Sequence, residues 1–260
     1  MTIHGPRPGK ADLMHFISET VSDGVSEQLF TVGDIPGVLW TPAGATGPRP
    51  LVLVGHGGGQ HKKAPGVVGR AHRYVTQCGF AVAAIDAPSH GDRPQSEEHQ
   101  RFSATIRERA AAGEPVGPLI PGYNATIAAR AVPEWRETLD ALQRLDQIGT
   151  AGPVGYAGLS MGGAVGVRLA AADSRITAAV LGLVASDGLT EAAASITIPV
   201  EFLLQWHDEA VPLESGLALF DAFASAEKTL HANAGQHRDV PLFEADSSVR
   251  FFARHLLGGT

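Results

Sequence analysis

The sequence predicts an α/β fold: a mostly parallel central sheet with helices on both faces. Three observations carry the prediction. A continuous apolar run stands at 51–54, and mainly apolar strand stretches recur at 80–85, 154–157, 176–184 and 200–206. Parallel strands buried on both faces read this way, because neither face meets water. Amphipathic helical stretches alternate with these runs, and a strand–helix–strand rhythm builds a parallel sheet. Residues suited to chemistry follow the strands: His56, Asp86, Ser160, Asp187, Asp208 and His237. They therefore share the rim at the carboxyl ends of the strands, where such sheets bind ligands.

The chain of 260 residues suits a single domain over 1–260 with a sizeable core. A net charge of −7 without a basic patch excludes nucleic acid as a partner. Cys78 is the only cysteine, so no intramolecular disulfide forms, which fits a reducing, cytoplasmic setting. Residues 1–11 lack the apolar core of a secretion signal. No stretch reaches the roughly 18 to 20 continuous apolar residues of a membrane span.

Taken in order, Leu13, Phe16 and Ile17 suggest a short amphipathic helix or an arm. Strands at 27–32 and 38–41 flank a turn at 33–37 rich in Gly and Pro. The 51–54 strand runs into His56-Gly57-Gly58-Gly59. A helix over 67–78 stops at Gly79, which suits the left-handed position that ends a helix. The 80–85 strand ends at Asp86.

The rhythm then breaks. A charged helix over 95–112 carries Phe102 and Ile106 one turn apart. A Gly/Pro loop over 113–122 carries Val116, Leu119 and Ile120. Connections of such length are usually functional, so 93–132 reads as a cap or lid over a site. Leu119 and Ile120, with Phe102 or Tyr123, would then touch an apolar substrate group. The alternative is a surface excursion or a contact in a homo-oligomer.

Regular alternation resumes at Pro133, placed to open a helix with Trp135, Leu139, Leu142 and Leu145 on one face. A strand at 154–157, a helix at 164–172 and a strand at 176–184 follow, then a short helical piece within 187–195. The 200–206 strand precedes a helix marked by Leu213, Leu217 and Phe220. A last strand at 228–231 leads to the His237 loop and a helix presenting Val249, Phe252 and Leu256.

The candidate centre is Gly158-Leu159-Ser160-Met161-Gly162, a Gly-x-Ser-x-Gly pattern between a strand and a helix. A serine exposed on a tight strand-to-helix turn needs small neighbours two residues away on each side. The helix that follows aims unpaired N–H groups at the reacting centre. A serine nucleophile also needs a base and a carboxylate that orients it, and the chain offers Ser, then Asp, then His.

With these motifs the chain from about 27 to 257 resembles the α/β-hydrolase superfamily, most closely its dienelactone-hydrolase-like and small esterase members. The resemblance implies Ser160 as nucleophile and His237, in Gly235-Gln236-His237-Arg238, as base. Asp208, with Val211-Pro212 just beyond it, matches the family's acid position; Asp187 and Glu209 are its rivals. The oxyanion hole would combine the N–H of Met161 with that of Gly58, or of neighbouring Gly57 or Gly59. His56 and Asp86 read as structural. Dienelactone hydrolases proper carry a cysteine where this chain has Ser160, which points to ordinary ester chemistry.

The resemblance thus implies a small-molecule ester substrate, with no metal and no cofactor. The same three residues serve thioesterases, acyl transferases, prolyl-oligopeptidase-type peptidases and lactonases. A nucleotide-binding oxidoreductase is the contrasting class, since Gly55-x-Gly57 follows a strand. Gln60 occupies the position of the third glycine, so that fingerprint fails. A non-catalytic binding protein would leave the Ser, Asp and His set without a purpose.

Overall fold

A computed structural model of the chain describes residues 14–258. The strands are β1 (Met14–Ser22), β2 (Val25–Val32), β3 (Ile35–Pro42), β4 (Leu51–Gly55), β5 (Ala81–Ile85), β6 (Val154–Leu159), β7 (Ile176–Gly182), β8 (Val200–Gln205) and β9 (Lys228–Asn233). The helices are α1 (Pro65–Cys78), α2 (Glu97–Ala111), α3 (Ile120–Leu142), α4 (Met161–Ala172), α5 (Thr190–Ala193), α6 (Leu213–Ala222) and α7 (Phe243–Leu256). The strands form one sheet in the order β1-β2-β3-β5-β4-β6-β7-β8-β9. Pairing is antiparallel from β1 to β5 across the first three contacts and parallel from there to β9.

Successive strand residues point to opposite faces, and the core divides accordingly. Leu51 and Leu53 pack in the layer that holds Ala128, Trp135 and Leu139 of α3 and Ala164 and Val167 of α4. Val52 and Val54 pack in the opposite layer with Val67, Ala71 and Tyr74 of α1 and Val249 and Phe252 of α7. Tyr74 donates to Ser248 at 2.8 Å and so ties α1 to α7. Helix α1 ends at Gly79, whose φ of 70° is left-handed.

The winding places the site. β4 has β5 on one side and β6 on the other. The chain therefore reverses its direction of growth between β5 and β6, which opens a crevice at the carboxyl ends of β4 and β6. The His56 turn and Ser160 lie there.

Three expectations need correction. Phe16 and Ile17 belong to strand β1, not to a helix, and Leu13 lies outside the described residues. Asp23 and Gly24, both at positive φ, form the two-residue turn that pairs β1 with β2. The second hairpin turns at Gly33-Asp34 alone, so Pro36 and Gly37 lie within β3 rather than in a loop. Pro133 does not open a helix: α3 begins at Ile120, inside the expected loop, and runs through Pro133. One missing N–H costs less than exposing the face of Tyr123, Ile127, Ala128 and Ala131, which continues into Trp135 and Leu139. The second half of the 93–132 excursion is therefore part of a body helix.

Candidate active site

Ser160 stands between β6 and α4 at φ 58°, ψ −123°. L residues rarely occupy this region, and the surroundings enforce it. The Ser160 N–H donates to the Gly182 carbonyl at 2.9 Å. A Cβ on Gly162 would lie 2.7 Å from the Gly55 carbonyl oxygen, so only glycine lets the turn approach β4. Beneath it the buried Tyr156 hydroxyl donates to the Gly162 carbonyl at 2.8 Å.

His237 reaches Ser160 from the loop after β9. Its Nε2 is 3.0 Å from Ser160 Oγ. Its Nδ1 is 2.7 Å from Asp208 Oδ2. The loop is fixed around it: the His237 N–H donates to Glu209 at 3.0 Å, and Gln205 Nε2 donates to the Gln236 carbonyl at 3.0 Å. Asp208 Oδ1 accepts the N–H groups of Ala210 and Val211, each at 2.8 Å. The Asp208 side chain is 2% exposed. Burial alone would raise its pKa, but the hydrogen bond and charge of His237 and the two N–H donors outweigh this and lower it.

The three candidate acids are thus separated by position. Asp208 meets the imidazole, Glu209 meets only the backbone of His237, and Asp187 is exposed with its carboxylate 3.4 Å from Ser215 Oγ.

Two backbone N–H groups lack an acceptor among the described residues. Met161 is the first residue of α4, where an N–H has no helical acceptor. In the His56 turn the Gly57 N–H is taken by Gln60 Oε1 at 3.3 Å, which leaves the Gly58 N–H without a partner among the described residues. A Cβ on Gly58 would meet nothing within 4 Å, so this backbone borders open space.

His56 is structural by geometry. Its Nε2 accepts the Ala87 N–H at 3.0 Å while Nδ1 lies 2.9 Å from the Gly57 carbonyl. Burial holds its pKa down at about 4, so the ring is neutral. Asp86 anchors the same turn. Its carboxylate accepts the Lys62 N–H at 2.8 Å, Lys62 Nζ at 2.7 Å and the Asp92 N–H at 3.0 Å.

Removing Lys62 Nζ leaves Asp86, whose side chain is fully buried, without its counter-charge. Lys62→Met is therefore expected to cost about 3–5 kcal/mol in urea unfolding at neutral pH. Burial would raise the Asp86 pKa, but its Lys62 and backbone bonds lower it. A carboxyl lowered on folding stabilises above its unfolded pKa and loses that contribution as pH falls through the folded value. The difference between native and variant should therefore shrink in acid.

A cleft opens beside Ser160 and His237. Ile120, Pro121, Leu183, Val184, Leu189 and Val211 make its wall largely apolar. Ile120 lines it and Leu119 does not. Phe102 and Tyr123 stack on each other at 3.8 Å, and the Tyr123 hydroxyl bonds His99, so they join α2 to α3 rather than line the cleft. Sequence reasoning missed Asn124, Arg168 and Leu183, all of which line it. Arg168 was within reach, since 160, 164 and 168 share one helical stripe. Among the described residues, no cluster of three or more His, Cys, Asp or Glu could hold a metal ion, and no helix is long and apolar enough to cross a membrane.

No protein-family model matches the chain, and no curated protein matches it in sequence. Solved structures do. A cold-adapted esterase from an Arctic intertidal metagenomic library, bound to polyethylene glycol, is 34% identical, with 92% of this chain and 97% of that one covered at a TM-score of 0.74. An acetyl xylan esterase from a Paenibacillus is 16% identical, covering 94% and 88% at 0.69. A dienelactone hydrolase from Anabaena variabilis is 20% identical, covering 95% and 99% at 0.60. The last two, at low identity, share the fold alone.

Proposed function

The chain belongs to the α/β-hydrolase superfamily, and we propose that it is a serine hydrolase cleaving a carboxylic ester through an acyl-enzyme. The observation that carries this reading is the hydrogen-bonded line Asp208–His237–Ser160 opening onto an apolar cleft. Ser160 Oγ attacks the ester carbonyl carbon while His237 Nε2 takes its proton. The N–H groups of Gly58 and Met161 receive the negative charge that forms on the carbonyl oxygen. Collapse expels the alcohol, protonated by His237 Nε2. Water then attacks the acyl-enzyme with the same base, releasing the acid and restoring Ser160. Asp208 holds Nδ1–H and stabilises the imidazolium.

The chain needs no cofactor for these steps. Thioesters, lactones and peptides present the same carbonyl chemistry, and the 34% identical relative, described as an esterase, favours the oxygen ester. An epoxide hydrolase or dehalogenase of this fold would need an aspartate in place of Ser160. With the single Cys78 the enzyme needs no oxidising compartment, and we assign it to the cytoplasm.

The test is a panel of p-nitrophenyl esters of graded acyl length, set against acyl-CoA and peptide substrates, with a fluorophosphonate probe of Ser160. Ester turnover and labelling of Ser160 are expected; an unlabelled, inactive protein would overturn the reading. We also read the start of α3 as the part of the excursion that sets substrate size. Ile120→Ala should shift the preferred acyl length upward, with each methylene worth about 1–3 kcal/mol in discrimination. Leu119→Ala, outside the lining, should not. If Ile120→Ala instead leaves the preference in place and alters the sedimentation coefficient, the segment is an interface between copies.

A further inference from the structure

We infer that the substrate carries an anionic carboxylate at the end remote from the scissile carbonyl, and that Arg168 recognises it with Asn124. The inference rests on the ester-hydrolase reading above and names its substrate class. Ser160, Ala164 and Arg168 line the cleft, four residues apart along α4. A rise of 1.5 Å per residue sets the Arg168 backbone about 12 Å along the axis from Ser160, with the side chain leaning back toward the helix N-terminus. Arg168 thus borders a largely apolar cleft at a distance from the reacting carbonyl.

It is held there without being neutralised. Arg168 Nη2 donates to the Gly188 carbonyl at 2.9 Å, while Nε is buried with no partner. Among the described residues Arg168 makes no ion pair. Asn124 lines the same cleft, is 7% exposed, and its amide makes no hydrogen bond among the described residues. A cation on the cleft wall with no ion-pair partner, beside a side-chain amide with no hydrogen bond in the protein, is the donor set that a carboxylate in the cleft would use. Two other titratable groups line the cleft. His237 lies at the reacting end, and Asp187 is exposed, lies beyond ion-pair distance of Arg168, and is screened by solvent.

The experiment compares kcat/KM, by proton release, for monoethyl glutarate and monoethyl adipate against ethyl pentanoate and ethyl hexanoate. Native protein should prefer the hemiesters by about tenfold to a hundredfold, less at high salt. Arg168→Gln should bring that ratio to about one, and Arg168→Lys should keep part of it, since the charge stays and the fork is lost. Asn124→Ala should lower it several-fold. A second series, acetyl esters of ω-hydroxy acids, carries the carboxylate on the alcohol side. A preference confined to that series and lost in Arg168→Gln supports recognition by Arg168 and assigns the carboxylate to the leaving group. The variant's fluorophosphonate labelling shows that its site is folded. No preference in either series, or one that survives in Arg168→Gln, overturns the inference while neutral esters are still cleaved. If native protein cleaves no ester at all, it is the hydrolase reading that fails.

Discussion

Ser160→Ala is expected to lower ester turnover by about 10⁴-fold or more while leaving the fold in place. What should remain is substrate binding and the stabilisation proposed above for the Gly58 and Met161 N–H groups, neither of which involves Oγ. The substitution removes one hydrogen bond to His237 and keeps a Cβ at φ 58°, so the backbone strain stays. Stability should therefore change by no more than about 1 kcal/mol. Ser160→Gly separates the two effects. It should be as inactive, yet more stable than Ser160→Ala by about 1 kcal/mol or more, because glycine enters this conformation freely. Activity against an ester panel and urea midpoints for the two variants check both statements. Substantial turnover by pure Ser160→Ala would remove Ser160 from the mechanism.

The parts of the chain that were legible are those where one physical requirement dominates the residue choice. Leu51, Leu53 and Leu181 are buried on one face of the sheet and Val52, Val54, Val82 and Val180 on the other, and burial on both faces makes their strands mainly apolar. Gly158 and Gly162 are visible because a side chain at either would strike the facing backbone. Asp208 and His237 follow strands, so their placement on the rim comes with the alternation itself.

What was illegible depended on competition between requirements. Pro133 signals a helix start, but the apolar stripe from Tyr123 to Leu142 decides where α3 begins. β1 is exposed along most of its length, so no burial pattern betrays it. Asp23-Gly24, a strong hairpin signal, would have found it. Leu119 and Ile120 are adjacent and chemically alike, but Leu119 closes a 3₁₀ turn and Ile120 opens α3, and only Ile120 stands in the cleft wall. Asn124 carries no local signature, because its use depends on α3 flanking the crevice, whereas Arg168 follows Ser160 by two helical steps of four.

Asp208→Asn is the second substitution with a large expected effect, on the order of 10⁴-fold in turnover. Its size follows from which oxygen does what. Oδ1 accepts two backbone N–H groups and Oδ2 faces His237 Nδ1. An asparagine must keep its carbonyl toward Ala210 and Val211, since its amide NH₂ cannot accept from them. The NH₂ group is then forced toward His237 and donates to Nδ1. That places the ring proton on Nε2, facing Ser160 Oγ, where a base must be free to accept. The geometry survives and the tautomer is wrong. Asp187→Asn, at an exposed carboxylate that does not touch the imidazole, should cost less than about tenfold on neutral esters. Measuring both variants on one p-nitrophenyl ester, together with their rates of fluorophosphonate labelling, tests the assignment. Should Asp187→Asn prove the more damaging of the two, the orienting acid would lie after β7 rather than after β8, and the imidazole would have to turn away from Asp208 during turnover.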